Sequence, residues 1–329
     1  MALKPPLKYQ YQSTRSLLLS DFTKSQGQKL ITDLKKTITQ AKTQQFFKKT
    51  KYSKRYNLCL SLNNSPDFFK LEPRDGLIIN ITNCYFDLLC QGIKPIAFST
   101  KINNFIDEGD IDENYYQIQS YKNGIKYIEN NLKIIPISPK DKSLPKNSWI
   151  MASLGIQDTL NPFVNSKKAK KDEYIVLFGK TEPEFDGSIW ASTQKKIKLG
   201  GLPPATRENQ ISQTAGLIKA VLLYHKSIST YSIGSGGLIT ALYKIAKLSN
   251  LGLKIDLSNL VNRYLSIFDI LLSESTNRFL ACINHDLLTD LSIICSGSKI
   301  PFTIIGKTTS NLKNSIEINN LGTCRIDNL

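Results

Sequence analysis

Tyr231-Ser232-Ile233-Gly234-Ser235-Gly236-Gly237 runs directly into Leu238-Ile239-Thr240-Ala241-Leu242, which places a paired glycine at the opening of a helix. The free N–H groups of such a start suit phosphate oxygens, and backbone donors need no carboxylate to hold an anion. The same dipeptide also serves as a plain tight turn. Asn83 and Asp87 form a second candidate group. One helical turn apart, they point to one site, or else lie on the wet side of a helix whose apolar face is Ile78, Ile81, Tyr85 and Leu88. Glu274 offers a carboxylate for a ribose hydroxyl or a neighbouring loop, or a salt bridge to Arg278 at helical spacing. The only histidines, His225 and His285, have no obvious Ser, Cys or Asp partner, so no nucleophilic triad is assigned. His225 follows a long apolar helix and reads as a C-terminal residue favoured by the helix dipole.

The elements that must carry these residues alternate in type. Leu19, Phe22, Leu30, Leu34, Ile38 and Phe46 recur at helical spacing. Tyr56–Leu62 alternates as a half-buried strand, Gly76–Cys90 reads as a helix, and Ile96–Ser99 as a short strand. A polar stretch over 101–119 precedes a helix at 121–131 and extended segments at 133–138 and 149–155. Beyond the charged connector at 165–172, the chain reads as a buried strand at 174–179 and helices at 209–224, 238–248 and 286–297. Ser266–Leu272 forms a further element, and strands lie at 279–283 and 302–306. Strands and helices mix in both halves, which predicts an α+β fold of two lobes. The expected organisation is a basic helical extension over 1–52, lobes over 53–160 and 170–310, and a tail over 311–329.

With 329 residues, 41% of them hydrophobic, the chain is long enough for two cores. No run of about 18 uncharged apolar residues occurs, so no membrane partner is expected. The opening Met1-Ala2-Leu3-Lys4-Pro5-Pro6 lacks the apolar segment of a secretory signal, which points to the cytoplasm or, with so basic a start, an organellar matrix. Six cysteines without a C-x-x-C pair read as reduced, buried side chains and exclude a zinc site of the usual spacing. The formal net charge is +16. Residues 1–55 hold 13 Lys and Arg against Asp21 and Asp33. Such an arm suits a polyanionic or acidic partner, or is a solvated helical extension; its removal is expected to leave both lobes folded.

Taken in order from Tyr56 to Gly306, these landmarks resemble the aminoimidazole ribonucleotide synthetase-like unit, and within that group the second half of formylglycinamide ribonucleotide amidotransferase, also called phosphoribosylformylglycinamidine synthase. Leu71-Glu72-Pro73-Arg74-Asp75-Gly76 and Gly92-Ile93-Lys94-Pro95-Ile96-Ala97 are similar to the family's D-P-Y-x-G-A and G-A-x-P-L-A. Leu177-Phe178-Gly179-Lys180-Thr181 and Asp186-Gly187-Ser188 are similar to L-L-G-E-T and G-G-S. The glycine loop takes the place of H-D-x-S-D-G-G-L, and Leu272-Ser273-Glu274 through Arg278-Phe279 that of F-S-E-x-x-x-R. The resemblance implies a sheet lobe that pairs across a dimer axis, hence a homodimer or a heterodimer with a separate catalytic half. It implies ATP or ADP with magnesium as cofactors. It makes Gly179, Gly187, Ser188, Ser232, Ser235, Gly236, Gly237 and Glu274 nucleotide-site residues, with Asn83 and Asp87 at the metal. The departures are acidic ones. The helical Glu and Asn are here Asn83 and Asp87, and the loop aspartates are Ser232 and Ser235. Magnesium needs hard anionic oxygens, so the resemblance implies weakened or lost metal binding. The expected role is the auxiliary nucleotide-bearing half of an ATP-dependent amidotransferase of purine biosynthesis; the alternative is a binding or scaffold protein that keeps the fold and uses its basic arm.

Overall fold

Strands buried on alternating or on both faces build two sheets in the computed structural model, which describes residues 26–63, 65–103, 111–137, 148–160, 168–194, 200–225, 227–311, 315–319 and 322–325. The first part of the chain runs α1 (Gln26–Gln44), β1 (Gln45–Lys51), β2 (Tyr56–Asn63), α2 (Pro66–Leu71), α3 (Pro73–Cys90), β3 (Lys94–Asn103), α4 (Ile111–Leu132), β4 (Ile135–Pro136) and β5 (Ser148–Asp158). The second part runs β6 (Tyr174–Phe178), α5 (Ile189–Thr193), α6 (Glu208–Tyr224), β7 (Ser229–Ile233), α7 (Gly237–Ser249), β8 (Gly252–Ile255), α8 (Ile267–Leu272), β9 (Arg278–Ile283), α9 (Leu288–Ser296), β10 (Phe302–Thr309), β11 (Ser315–Ile318) and β12 (Gly322–Arg325). Among the described residues the first sheet is ordered β1-β2-β5-β3-β4 and the second β12-β11-β8-β10-β6-β9-β7. No helix among them is long and apolar enough to cross a membrane.

The second sheet is covered on both faces, as its continuous apolar runs require. Alternate residues of β6 and β9 divide between two cores. Ile175, Leu177, Leu280 and Cys282 face α7, α8 and α1. Val176, Phe178, Phe279 and Ala281 join a core that also holds Ile78, Ile81 and Phe86 of α3, Phe98 of β3 and Met151 of β5. The lobes therefore share one apolar interior. Helix α3 is its hinge piece. It lies against the first sheet, where Leu88 meets Cys59 and Ile93, and packs on α6 and β7 of the second. A helix enclosed on several sides has little amphipathic contrast, and here residues around most of the circumference are buried.

Three expectations change. Residues 1–52 were expected to form an extension, but from Gln26 onward the chain belongs to the fold. Leu30, Leu34, Ile38 and Ala41 of α1 are buried, the first three in the core under β6, and β1 pairs antiparallel with β2 from Gln45↔Asn63 to Lys51↔Asn57. Lys36, Lys42, Lys48, Lys49 and Lys51 are exposed, so the charge of this segment coexists with a buried stripe. Residues 1–25 lie outside the described residues. The tail over 311–329 contributes β11, parallel to β8, and β12, antiparallel to β11. The polar stretch over 101–119 contains the first turns of α4, which begins at Ile111. Its Tyr116 is buried, with its hydroxyl donating to Glu72.

Candidate functional site

A cavity of about 650 Å³ opens where the two lobes meet, of a size that accommodates a small ligand. Five elements supply its wall. Strand β1 gives Phe46, Phe47 and Lys49, β2 gives Ser61 and Asn63, α3 gives Asn83 and Asp87 with Gln91 capping its end, β7 gives Thr230 and Ser232, and α7 gives Tyr243, Lys244 and Lys247. Lys168 and Gln157 complete the polar part of the rim.

Among the described residues Asp87 is the sole carboxylate on this wall, and its oxygens are already engaged. Ser61 donates to Oδ2 at 2.9 Å and Ser232 to Oδ1 at 3.1 Å. Lys244 Nζ lies 3.9 Å from Oδ1. Gln91, one turn further along α3, donates to the Asp87 carbonyl at 3.1 Å. Asn83 sits a turn earlier, facing Gly234, where a Cβ would come within 3.2 Å of the Asn83 Cγ. The stripe of α3 that carries Asn83 and Asp87 thus faces the β7–α7 connection and not open solvent.

The glycine turn itself is packed shut. Gly236 and Gly237 have φ of +82° and +69°, which only glycine adopts without strain. A Cβ on Gly236 would meet Thr240 Oγ1 at 2.2 Å and Ala41 of α1 at 3.0 Å; one on Gly237 would meet the Ser273 and Leu271 carbonyls. Ser235 is 1% exposed. Its hydroxyl donates to Asn63 at 2.7 Å and lies 2.6 Å from that of Ser65, while its carbonyl accepts from Gln45 at 3.0 Å. The turn is therefore held by protein groups, and Gly234, not Gly236 or Gly237, borders the cavity.

The remaining residues implied by the resemblance gather elsewhere. Ser188 is fully buried and caps α5, its hydroxyl accepting from Ala191 N–H at 3.1 Å. Gly187 abuts Phe68 and Leu71 of α2, and Gly179 abuts Asn277 and Arg278. Glu274 is 4% exposed and accepts from Ile189 N–H at 2.6 Å at the start of α5. Burial pushes its carboxyl up to about 7, against the pull of the Gly236 and Ile189 amides and of Arg278. The expected helical pairing of Glu274 with Arg278 is not formed, because α8 ends at Leu272 and Arg278 begins a strand. The Arg278 guanidinium donates to the Ser275 carbonyl at 3.0 Å, the Ser273 carbonyl at 2.6 Å and the Thr181 hydroxyl at 2.9 Å. Burial lowers its pKa to about 10.

A raised carboxyl has a stated sign. The folded chain keeps the Glu274 proton over pH 4.5 to about 7, where the unfolded chain releases it, so this group makes stability fall as pH rises through that window. The loss is up to about 3 kcal/mol. Urea unfolding at pH 5 and pH 8 should show Glu274→Gln less pH-sensitive than the wild type; equal pH slopes would place the Glu274 carboxyl near its ordinary range.

Magnesium does not fit the residues present. It requires several hard anionic oxygens in octahedral array. Among the described residues no group of three His, Cys, Asp or Glu side chains is arranged to hold a metal. Asp87 is the one acidic group at the position implied by the resemblance, and a hydroxyl donor occupies each of its oxygens. Of the residues singled out in the sequence, Asn83, Asp87 and Ser232 line this cavity; Ser61, Lys49, Lys168, Lys244 and Lys247, which were not singled out, line it with them. A detectable signal was the Lys244/Lys247 spacing, which puts both ammonium groups on one side of the helix that the glycine turn opens.

Comparison with known proteins agrees with this architecture. Residues 173–319 match the AIR synthase related protein, C-terminal domain. The phosphoribosylformylglycinamidine synthase subunit PurL of Tropheryma whipplei is 27% identical over 264 residues, covering 78% of this chain and 34% of that protein. That of Corynebacterium aurimucosum is 23% identical over 270 residues, covering 77% and 34%. The chain thus spans about a third of the length of these curated relatives. Among solved structures, Thermotoga maritima PurL complexed with FGAR superposes with a TM-score of 0.66 at 14% identity, over 94% of this chain and 54% of that one. The same protein complexed with ATP gives 0.60 at 15% identity, over 82% and 43%. Thiamine-monophosphate kinase of Stenotrophomonas maltophilia gives 0.56 at 15% identity, over 81% of this chain and 86% of that one. The last is matched along nearly its whole length.

Proposed function

We propose that this chain, an AIR synthase-like α+β unit resembling the PurL subunits, is the nucleotide-bearing and non-catalytic half of a phosphoribosylformylglycinamidine synthase-type assembly in purine biosynthesis. The observation that carries the reading is the composition of the lobe-junction cavity, which among the described residues is lined by four lysines, one carboxylate and no histidine. Such a wall attracts phosphates. The nucleotide is ADP or ATP, in keeping with the ATP complex of the T. maritima relative.

The first sheet supports assembly as well. On its face away from α3, Leu58 pairs with Ile156 and Leu60 with Leu154, and all four are only half-buried. A second copy, or a catalytic half of the same fold, would cover this apolar face. A scaffold role is the second reading, favoured by the internal engagement of Asp87. Copurification from the native source, with bound nucleotide and partner chains identified together, separates the two. ADP or ATP and a catalytic PurL-like chain are expected; a chain that converts FGAR alone overturns the non-catalytic assignment, and a partner unrelated to purine synthesis favours the scaffold. Light scattering should give a dimer that Leu60→Asp splits, and a stable wild-type monomer at micromolar concentration, with or without the partner, argues against assembly through this face.

A further inference from the structure

We infer that the lobe-junction cavity is a metal-independent polyphosphate site, in which lysine ammonium groups stand where a magnesium-bearing site would place its cations. The inference deepens the nucleotide reading above and rests on it for the identity of the ligand, but not for the chemistry of the wall.

Lys244 and Lys247 lie on one side of α7, and Lys49 and Lys168 enter from β1 and from the segment before β6. Among the described residues of this wall the four lysines stand against a single carboxylate, Asp87, which accepts from Ser61 and Ser232 and has Lys244 Nζ 3.9 Å from its Oδ1. Positive charge is therefore in excess even after Asp87 is counted. Each ammonium carries three donors and a compact charge suited to phosphate oxygens. Asp87 has a positional role in this arrangement, since its Oδ1 lies 3.9 Å from Lys244 Nζ while Ser61 and Ser232 donate to it. Ile93, Leu248 and Tyr243 add apolar surface to the lining.

The predicted consequence is a reversed response to magnesium. In a site where the metal bridges protein carboxylates to phosphate, magnesium strengthens binding. Here the protein supplies the cations, and magnesium in solution competes with the lysines for the phosphates.

The test is calorimetry on the full chain with tripolyphosphate and with ADP, each in EDTA and in millimolar magnesium. Tripolyphosphate is expected to bind in EDTA and to bind more weakly with magnesium present. Lys244→Gln with Lys247→Gln should weaken it at least tenfold, while Lys244→Arg with Lys247→Arg restores it. Lys219→Gln, on α6 and away from the cavity, serves as the control and should change nothing. No tripolyphosphate binding in EDTA, binding that appears only with magnesium, or equal losses from Lys219→Gln and from the cavity pair overturns the inference. ADP that binds no tighter than inorganic pyrophosphate removes the nucleotide reading and leaves the lysine site standing. ADP that binds tightly only with magnesium does the reverse.

Discussion

Removing residues 1–44 is expected to unfold the chain. Leu30, Leu34, Ile38 and Ala41 of α1 are at most 6% exposed, and the first three pack with Trp190, Ile239, Leu242 and Phe268 in the core beneath β6. Each buried Leu or Ile reduced to Ala costs about 2–5 kcal/mol. Three such side chains together rival the whole stability of an ordinary domain, about 5–15 kcal/mol. The single change Ile38→Ala should lower the urea midpoint by an amount equivalent to about 2–5 kcal/mol, and the truncation should abolish the cooperative transition. Because Ala41 abuts Gly236 and Gln45 holds the Ser235 carbonyl, the truncation also strips the cover from the β7–α7 turn. A truncated chain that unfolds at the wild-type midpoint would return α1 to the status of an appendage.

The helix was legible in the sequence while its place in the fold was not. Leu30, Leu34 and Ile38 repeat at helical spacing, yet the lysines around them suggested a solvated arm. Charge describes the outer face of a helix and says nothing about whether the opposite stripe is covered. Strands β8, β11 and β12 are four residues each, too short for the alternation in Leu253-Lys254-Ile255 or Ile316-Glu317-Ile318 to identify them; their pairing comes from neighbours up to some sixty residues distant. In the site, the glycine turn was readable because backbone conformation is a local property. The engagement of Asp87 was not, since Ser61 precedes it by 26 residues and Ser232 follows it by 145. The glycines of that turn have a reason of their own beside the expected phosphate contact. Their positive φ and the closeness of Thr240 and the Ser273 carbonyl demand glycine whether or not an anion is bound.

Restoring carboxylates should turn the lysine cavity into a metal site. The positions that tolerate this are Asn83 and Ser232, which line the cavity beside Asp87. Ser235 does not, because it is 1% exposed and its hydroxyl is shared between Asn63 and Ser65, so that a carboxylate there would be a buried charge without a partner. Lys244 must also go, since its ammonium lies 3.9 Å from Asp87 Oδ1 and would repel an incoming cation. The variant Asn83→Glu, Ser232→Asp, Lys244→Gln places three carboxylates where one stood. Without metal these groups repel one another, and the variant should melt below the wild type. With manganese or magnesium the order should change, because a cation that binds only the folded chain stabilises it by about 2.7 kcal/mol at a hundred times its dissociation constant. Thermal unfolding in EDTA and in a metal series reads both effects, and the wild type should show no comparable gain. A wild type stabilised as strongly as the variant would mean that residues other than Asn83, Asp87 and Ser232 hold the ion. A variant indifferent to metal would mean that the backbone around Asp87 no longer has the spacing that three carboxylates need to surround one cation.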